Sequence, residues 1–420
     1  MADSVAIDPE RQIKLKEIIG RLHAGSPVGE VKREFAKLIQ GVSAAEIAAM
    51  EQSLIEGGMP VEEVQRLCEV HVQVFEASLA KGGTPTGMAG HPIHSMIEEN
   101  RLAGKKASAL KTAARHWTWK IGTREAAAEA LEDLSAIVVH YTRKENQLFP
   151  YLEKQGFTGP SRVMWGKHDE IRALFKDAKD ALGGEPRAFG RIASSLAAKV
   201  QKMIFMEEHI LIPEARRRLS EREWAEIRRG EEAIGFAWIQ PASLYDAGIA
   251  LAVAPAAAPA AARNERADAA TKAAPQAAIA EAAAADLLDL ATGRLPKGLL
   301  DIALRTLPVD ISIIDEHDKV LYYSDSPHRL FPRSPAAIGR DVHNCHPQKS
   351  VATVEKILQA FKNKEKSKAR FWIEMGGRFI LIEYYALYDA GGAYKGTLEV
   401  SQDLTELRAL EGQRRLLDWE

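Results

Sequence analysis

Cysteine is nearly absent: the 420 residues hold two, Cys68 and Cys345. They stand far apart, which excludes a disulfide framework and makes a reducing compartment the simplest setting. Neither sign of charge dominates. Lys+Arg 56 against Asp+Glu 58 gives a formal net charge of -2, so no global basic field recruits nucleic acid or an anionic membrane. No uninterrupted apolar run reaches bilayer-spanning length. The first thirty residues are too charged to contain the apolar core of a signal peptide. The expectation is a soluble, cytoplasmic protein without a nucleic-acid or membrane partner. What is present is the balance of folded domains, with 46% hydrophobic and 27% charged residues. The length suits about two to four of them.

Composition shifts divide the chain. Residues 12–240 read as helix nearly throughout. The loop Lys81–Gly90 splits them into a small helical domain over 12–82 and a four-helix bundle over 88–235. Residues 241–285, rich in alanine with scattered proline, offer too little bulky apolar surface for a core and read as a linker. Over 290–415, β-branched and aromatic runs alternate with turn residues around one amphipathic helix, VATVEKILQAFKN, which predicts an α+β domain. The fold class is therefore multidomain, with an all-α N-terminal half and a C-terminal α+β domain. In the first domain Ser43 and Glu46 form a capping box, and Pro60 suits a first helical turn. Cys68 and His71, three residues apart, read as a packed thiol and a core histidine rather than ligands.

The strongest chemistry lies in the bundle. Advancing about 100° per residue, the first helix sets Ile93, Ile97 and Arg101 in a stripe, with His94 at its edge and Glu98 one turn on. The second sets Leu134, Ile137, Tyr141, Leu148 and Leu152 together, with Glu145 among them, His140 at the margin and Lys144 one turn later. The third aligns Met164, Ile171, Phe175, Ala178 and Leu182, with His168 close by. The fourth aligns Leu196, Val200, Met203, Ile204 and Leu211, with Glu207 at the centre, Glu208 to the side and His209 behind. A bare carboxylate in an apolar stripe costs several kcal/mol unless paired or metal-bound. Imidazole with carboxylate is a ligand set for iron, manganese or zinc. Buried pairs serve equally on spacing alone: Lys144 with Glu145, and Arg101 with Glu207.

The segments GHPIHSMIEEN, HYTRKENQLFPYLEK, MWGKHDEIR and MIFMEEHILIPEA resemble the four helices of the hemerythrin-like HHE cation-binding family. The repeated carboxylate-then-LFP pattern, at Glu145/Leu148-Phe149-Pro150 and Glu207/Leu211-Ile212-Pro213, carries the resemblance furthest. It implies non-haem iron, one ion or two, with manganese or zinc as substitutes. His94, His140, His168 and Glu207 match ligand positions, Glu145 is a neighbouring candidate, and His91, Glu98 and Glu208 are secondary ones. His91 and His209 read better as capping or surface histidines. Two positions depart: Lys144 stands where a bridging Glu is expected and Met203 where a His is expected. Residues 12–82, including GGMPVEEVQRLCEVH, resemble the domain of unknown function 438 found ahead of HHE domains.

LPVDISIIDEHDKVLYYSD opens like a PAS domain, and TLEVSQDLTELRALEGQ resembles its closing strand and exit, with Asp403 and Thr405 in the Asp-x-Thr cap. Hairpin turns are expected at Met375–Gly377 and Asp389–Gly392. Within NCHPQKS, Cys345 or His346 is conceivable as an axial haem ligand, against a loop that caps the next helix. His328 and His343 share this neighbourhood. The tail carrying Leu407, Leu410 and Leu416-Leu417 suits a short dimer helix or a docked tail. The reading that follows is a metal-binding sensor of O2, NO, redox state or iron, coupled to a PAS-like module whose own ligand is open. Its output passes to a signalling partner or through a homodimer. The alternatives are a non-haem iron enzyme or repair factor, acting in NO or peroxide reduction or iron delivery, and a metal-free scaffold.

Overall fold

The computed structural model describes residues 13–14, 17–18, 20–21, 24–34, 87–253, 287–326 and 329–412. The capping box at Ser43, Pro60, Cys68, His71, His328 and Leu416-Leu417 lie outside the described residues. Two compact units are present. One comprises Met1–Ala254 with Ser334–Arg340 and Asn344–Val351; the other comprises Pro255–Arg333 with Asp341–His343 and Ala352–Glu420.

In the first unit, α1 is Val28–Glu34 and the bundle begins with α2, Pro92–Thr118. Pro92 fits the first turn because its missing N–H has no helical partner there. His91 caps that turn, its Nδ1 accepting from the Ile93 N–H at 3.1 Å. The return arm runs through α3 (Arg124–Ser135), α4 (Ile137–Arg143), a π-helical turn (Lys144–Leu148) and α5 (Phe149–Lys154). It is followed by α6 (Gly159–Ala181) and α7 (Pro186–Met206). A second π turn (Glu207–Leu211) then leads to α8 (Ile212–Arg218). The last elements are α9 (Glu221–Glu231), opened by a Ser220/Glu223 capping box, and α10 (Ala247–Val253). α2 packs on α7, and α6 packs on α7 as well.

Both π turns have the same cause in sequence. Pro150 and Pro213 bring no N–H to the helical ladder, and their rings crowd the carbonyl four residues back. The backbone opens by one residue, so that the Phe149 N–H reaches the Lys144 carbonyl and the Ile212 N–H reaches that of Glu207. The widened turn carries Lys144, Glu145, Gln147 and Leu148 all inward.

The expected stripes of the second, third and fourth helices are buried, apart from half-buried Leu182 and Ile204. The first is displaced by about one residue: Ile93, Met96, Asn100, Ala103 and Ala107 are buried, whereas Ile97 is half-buried and Arg101 exposed. Small residues cause this, because Ala103, Ala107 and Ala114 leave room for the backbone to approach its neighbour.

The second unit opens with a hairpin, β1 (Leu287–Leu290) and β2 (Gly293–Pro296), and a helix α11 (Lys297–Thr306). Its main sheet is antiparallel, in the order β4-β3-β7-β6-β5. The strands are β3 (Asp310–Asp315), β4 (Val320–Tyr323), β5 (Lys368–Met375), β6 (Arg378–Tyr388) and β7 (Tyr394–Asp403). The crossing helix α12 (Gln348–Lys362) buries Val354, Leu358 and Phe361 at helical spacing. It meets β6 where Tyr388 Oη donates to the Phe361 carbonyl at 2.7 Å. Gly376 and Gly377, with φ of 59° and 76°, make the two-residue hairpin between β5 and β6. Gly396 sits in β7 at φ 148°, where a Cβ would lie 2.1 Å from the Ile314 carbonyl oxygen. Asp403 Oδ1 accepts from the Thr405 N–H at 2.9 Å and Thr405 Oγ1 accepts from the Phe379 N–H at 2.9 Å, closing the sheet's exit.

Candidate functional site

The polar centre of the bundle is built by five segments. α2 brings Glu99, α4 with its π turn brings His140, Arg143, Lys144 and Glu145, and α6 brings His168 and Arg172. The second π turn brings Glu207 and α9 brings Glu231. His140 lies between two carboxylates, its Nδ1 2.7 Å from Glu99 Oε2 and its Nε2 2.8 Å from Glu207 Oε2. Only a ring carrying hydrogen on both nitrogens donates to both. Lys144 Nζ donates to the other oxygen of Glu207. Arg143 grips Glu99 through both terminal nitrogens and donates from Nε to Glu231 Oε1 at 3.1 Å. Glu99 Oε1 also accepts from the Ala237 N–H at 2.7 Å. Glu99, His140, Arg143, Lys144, Glu207 and Glu231 are each at most 1% exposed.

A second cluster adjoins the first. His168 Nδ1 is 2.8 Å from Glu145 Oε1, and Arg172 donates to both oxygens of Glu145 at 2.9 and 2.7 Å. The His168 ring stacks on Tyr141 at 4.2 Å between centroids, and Lys144 Nζ lies over the same Tyr141 ring at 4.7 Å. His168 Nε2 is buried with no hydrogen-bond partner among the described residues.

Electrostatics follow from these contacts. Burial pushes the Glu99 carboxyl up, but hydrogen bonds from His140 and Arg143 outweigh it and hold it at about 2. Glu207 is likewise held at about 2, because Lys144 and His140 overcome the cost of burial. Burial lowers the Lys144 ammonium against the pull of Glu207. Burial, then the charges of Lys144 and Arg172, press His168 well below the usual imidazole range. Glu145 is raised by burial despite Arg172. Glu231 rises to about 7, since burial outweighs the charges of Arg143 and Arg228 and the hydrogen bond from Arg143.

The structure thus brings His140, Glu145, His168 and Glu207 into the core and leaves the other candidates outside it. His94 is half-buried, and its ring makes no hydrogen bond or ion pair among the described residues. Glu98 pairs with Arg101 at 2.9 Å near the surface, so Arg101 does not serve Glu207. Lys144 serves Glu207 instead of Glu145, whose partner is Arg172. His91 caps α2 and packs against Trp224 and Tyr245. Glu208 is half-buried within the second π turn, and His209 Nδ1 meets the Phe205 carbonyl at 2.9 Å. Cys345 is buried at the end of a 3-10 turn and forms no disulfide among the described residues; half-buried His346 follows it. His343 sits between Asp341 (2.6 Å) and Glu355 (2.5 Å). Glu99, Arg143, Arg172 and Glu231 were not anticipated. The run Arg143-Lys144-Glu145 inside an apolar stripe was the available signal for a buried charge network.

With this geometry in place, the comparisons define a class. Residues 91–215 match the hemerythrin HHE cation binding domain, residues 300–405 a PAS domain, and residues 15–81 a family of unknown function (DUF438). The chain is a multidomain protein in which a hemerythrin HHE domain stands between a DUF438 segment and a PAS domain. No curated protein matches. Among solved structures, the chain is similar to a C-terminal domain from Streptococcus mutans, with 29% identity over 30% of this chain and 97% of that one at a TM-score of 0.29. A PAS domain from Colwellia psychrerythraea shares 18% identity over 26% and 98% of the two chains, TM-score 0.22. A sensory box sensor histidine kinase from Vibrio cholerae shares 13% over 31% and 98%, TM-score 0.21. An HHE domain beside a PAS domain fits a metal-binding sensory protein, and an HHE domain implies a metal, typically iron. Among the described residues no helix is long and apolar enough to cross a membrane.

The residues present do not fit a two-metal centre. Both oxygens of Glu207 are committed, one to Lys144 and one to His140. The expected fourth-helix imidazole is the thioether of Met203. Among the described residues no three His, Cys, Asp or Glu side chains are placed to hold an ion. His168 Nε2 is one buried ligand atom with no partner among the described residues, and a metal site needs several.

Proposed function

We propose that the chain is a sensory and regulatory protein in which the core of the bundle receives a signal and the PAS domain passes it to a partner protein or a second copy. The supporting observation is the buried network of Glu99, His140, Arg143, Lys144 and Glu207. Well-packed apolar residues of similar volume are often as stabilising as a buried ion pair, or more so. A network kept at that cost suits a role beyond folding. Two of its members, Lys144 and Glu207, are also the first residues of the two π turns, an irregularity frequent at functional sites. The test is hydrogen exchange on the full chain carrying Glu207→Gln. Altered amide protection in β5, β6 and β7 is expected, and protection there identical to the parent chain refutes the coupling.

A second reading is favoured by Nε2 of His168, which has no partner among the described residues and whose Nδ1 is held by Glu145 in the way carboxylates orient metal-binding imidazoles. There the bundle holds non-haem iron and responds to O2, NO, redox state or iron supply. Ferrous iron added anaerobically would then change exchange in the PAS strands. Steady-state turnover of NO or peroxide would point instead to an enzyme or repair factor.

A further inference from the structure

The two departures from a metal-ligand pattern converge on one carboxylate. Lys144 stands one turn after His140, and Met203 one turn before Glu207. Lys144 Nζ takes Glu207 Oε1, and His140 Nε2, at 2.8 Å, takes Oε2. His140 is in turn fixed by Glu99, and Glu99 by Arg143 and the Ala237 N–H. The five side chains in this chain of contacts, Glu99, His140, Arg143, Lys144 and Glu207, are at most 1% exposed.

We propose that the Lys144 ammonium is a built-in substitute for metal charge on Glu207, so that the bundle closes on an internal cation and assembles no two-metal centre. Exchanging a carboxylate for an ammonium makes the site about two charge units more positive, the charge that one divalent ion supplies. The ammonium donates hydrogen bonds along the directions in which a carboxylate offers lone pairs to a metal. Unlike an ion, it is tethered and does not dissociate. Met203, 2% exposed, completes the exclusion: it occupies the fourth-helix position with a soft thioether, which does not select iron or manganese. The proposal does not depend on what the PAS domain relays, so the two readings fail separately.

Metal analysis of the full chain, from cells supplied with iron, manganese and zinc, tests it alongside melting with and without a chelator. Sub-stoichiometric metal and an unchanged bundle transition are expected. At least one equivalent of metal, lost in Glu207→Gln and whose removal lowers the melting temperature, overturns it. The reciprocal test is Lys144→Glu with Met203→His. This variant is expected to take up ferrous or manganous ions and to melt higher with them; a folded variant that takes up neither overturns the claim that these two residues exclude metal. Should that variant not fold, Lys144→Met serves. Its melting temperature is expected to fall and to recover in part when Glu207→Gln is added, because the amide needs no cation. Parent-like melting of Lys144→Met overturns the proposal.

Discussion

Glu231 offers the sharpest quantitative test of the buried network. Its carboxyl is fully buried on α9 and accepts from Arg143 Nε at 3.1 Å through one oxygen, while the other has no hydrogen-bond partner among the described residues. Folding lifts its pKa from the ordinary 4.5 to about 7. Below 4.5 the group is protonated in both states and costs nothing. Between 4.5 and 7 the unfolded chain ionises first, so stability falls as pH rises, and above 7 the loss is complete. At about 1.4 kcal/mol per pKa unit, the full difference is about 3 kcal/mol. Glu231→Gln keeps an acceptor for Arg143 and removes the titration. Urea unfolding of both chains, followed by pulsed hydrogen exchange in α2 and α6, separates the bundle from the other modules. The stability of the parent chain relative to the variant should fall by about 3 kcal/mol from pH 4.5 to pH 8. Parallel pH curves for the two chains would refute the reasoning, since they would show Arg143 carrying a fully ionised Glu231 at no cost.

Three further outcomes are expected. Gly396→Ala would drive a methyl group into the Ile314 carbonyl and pry β7 from β3, giving proteolytic cleavage within residues 310–403 while the bundle stays protected. Ser220→Ala removes the capping box of α9 and should lower bundle stability by about 1 kcal/mol in the same urea assay. Burial lowers the His343 imidazole, but hydrogen bonds to Glu355 and Asp341 prevail and raise it above 6.5, so its stabilising contribution is full below 6.5 and fades as pH climbs through the raised value. An NMR titration giving His343 a value at or below 6.5 would contradict this.

Much of the bundle was legible because its second to fourth helices bury bulky residues at regular spacing, and a carboxylate at the centre of such a stripe, Glu207, stands out. The first helix was harder to read. Its inward face is largely alanine, so Ile97 and Arg101 outweighed Ala103 and Ala107 in a reading based on size. Glu99 was overlooked for its neighbour Glu98, which is about 100° away on the helix and meets Arg101 near the surface. The inward position of Lys144 was legible from its place one turn after His140, but its partner was not, because Glu207 lies 63 residues further along the chain. Glu231 reaches the network from a helix 88 residues beyond Arg143, and no local pattern announces such a partner. In the PAS domain the glycine pair at 376–377 marked its hairpin plainly. The short β1 and β2 strands adjoin alanine-rich sequence and carry no comparable mark.

The two widened turns before Pro150 and Pro213 make the bundle intolerant of changes in length. Deleting one residue from either leaves the proline, and with it the widened turn, in place, and would swing every later side chain on that rod by about 100°. Leu152 would turn away from the interior on one rod and Ala215 on the other. Substitutions within these stretches alter single contacts, whereas a one-codon deletion would misalign an entire arm. Insertions and losses should therefore be tolerated in the connections between rods and not within these two stretches.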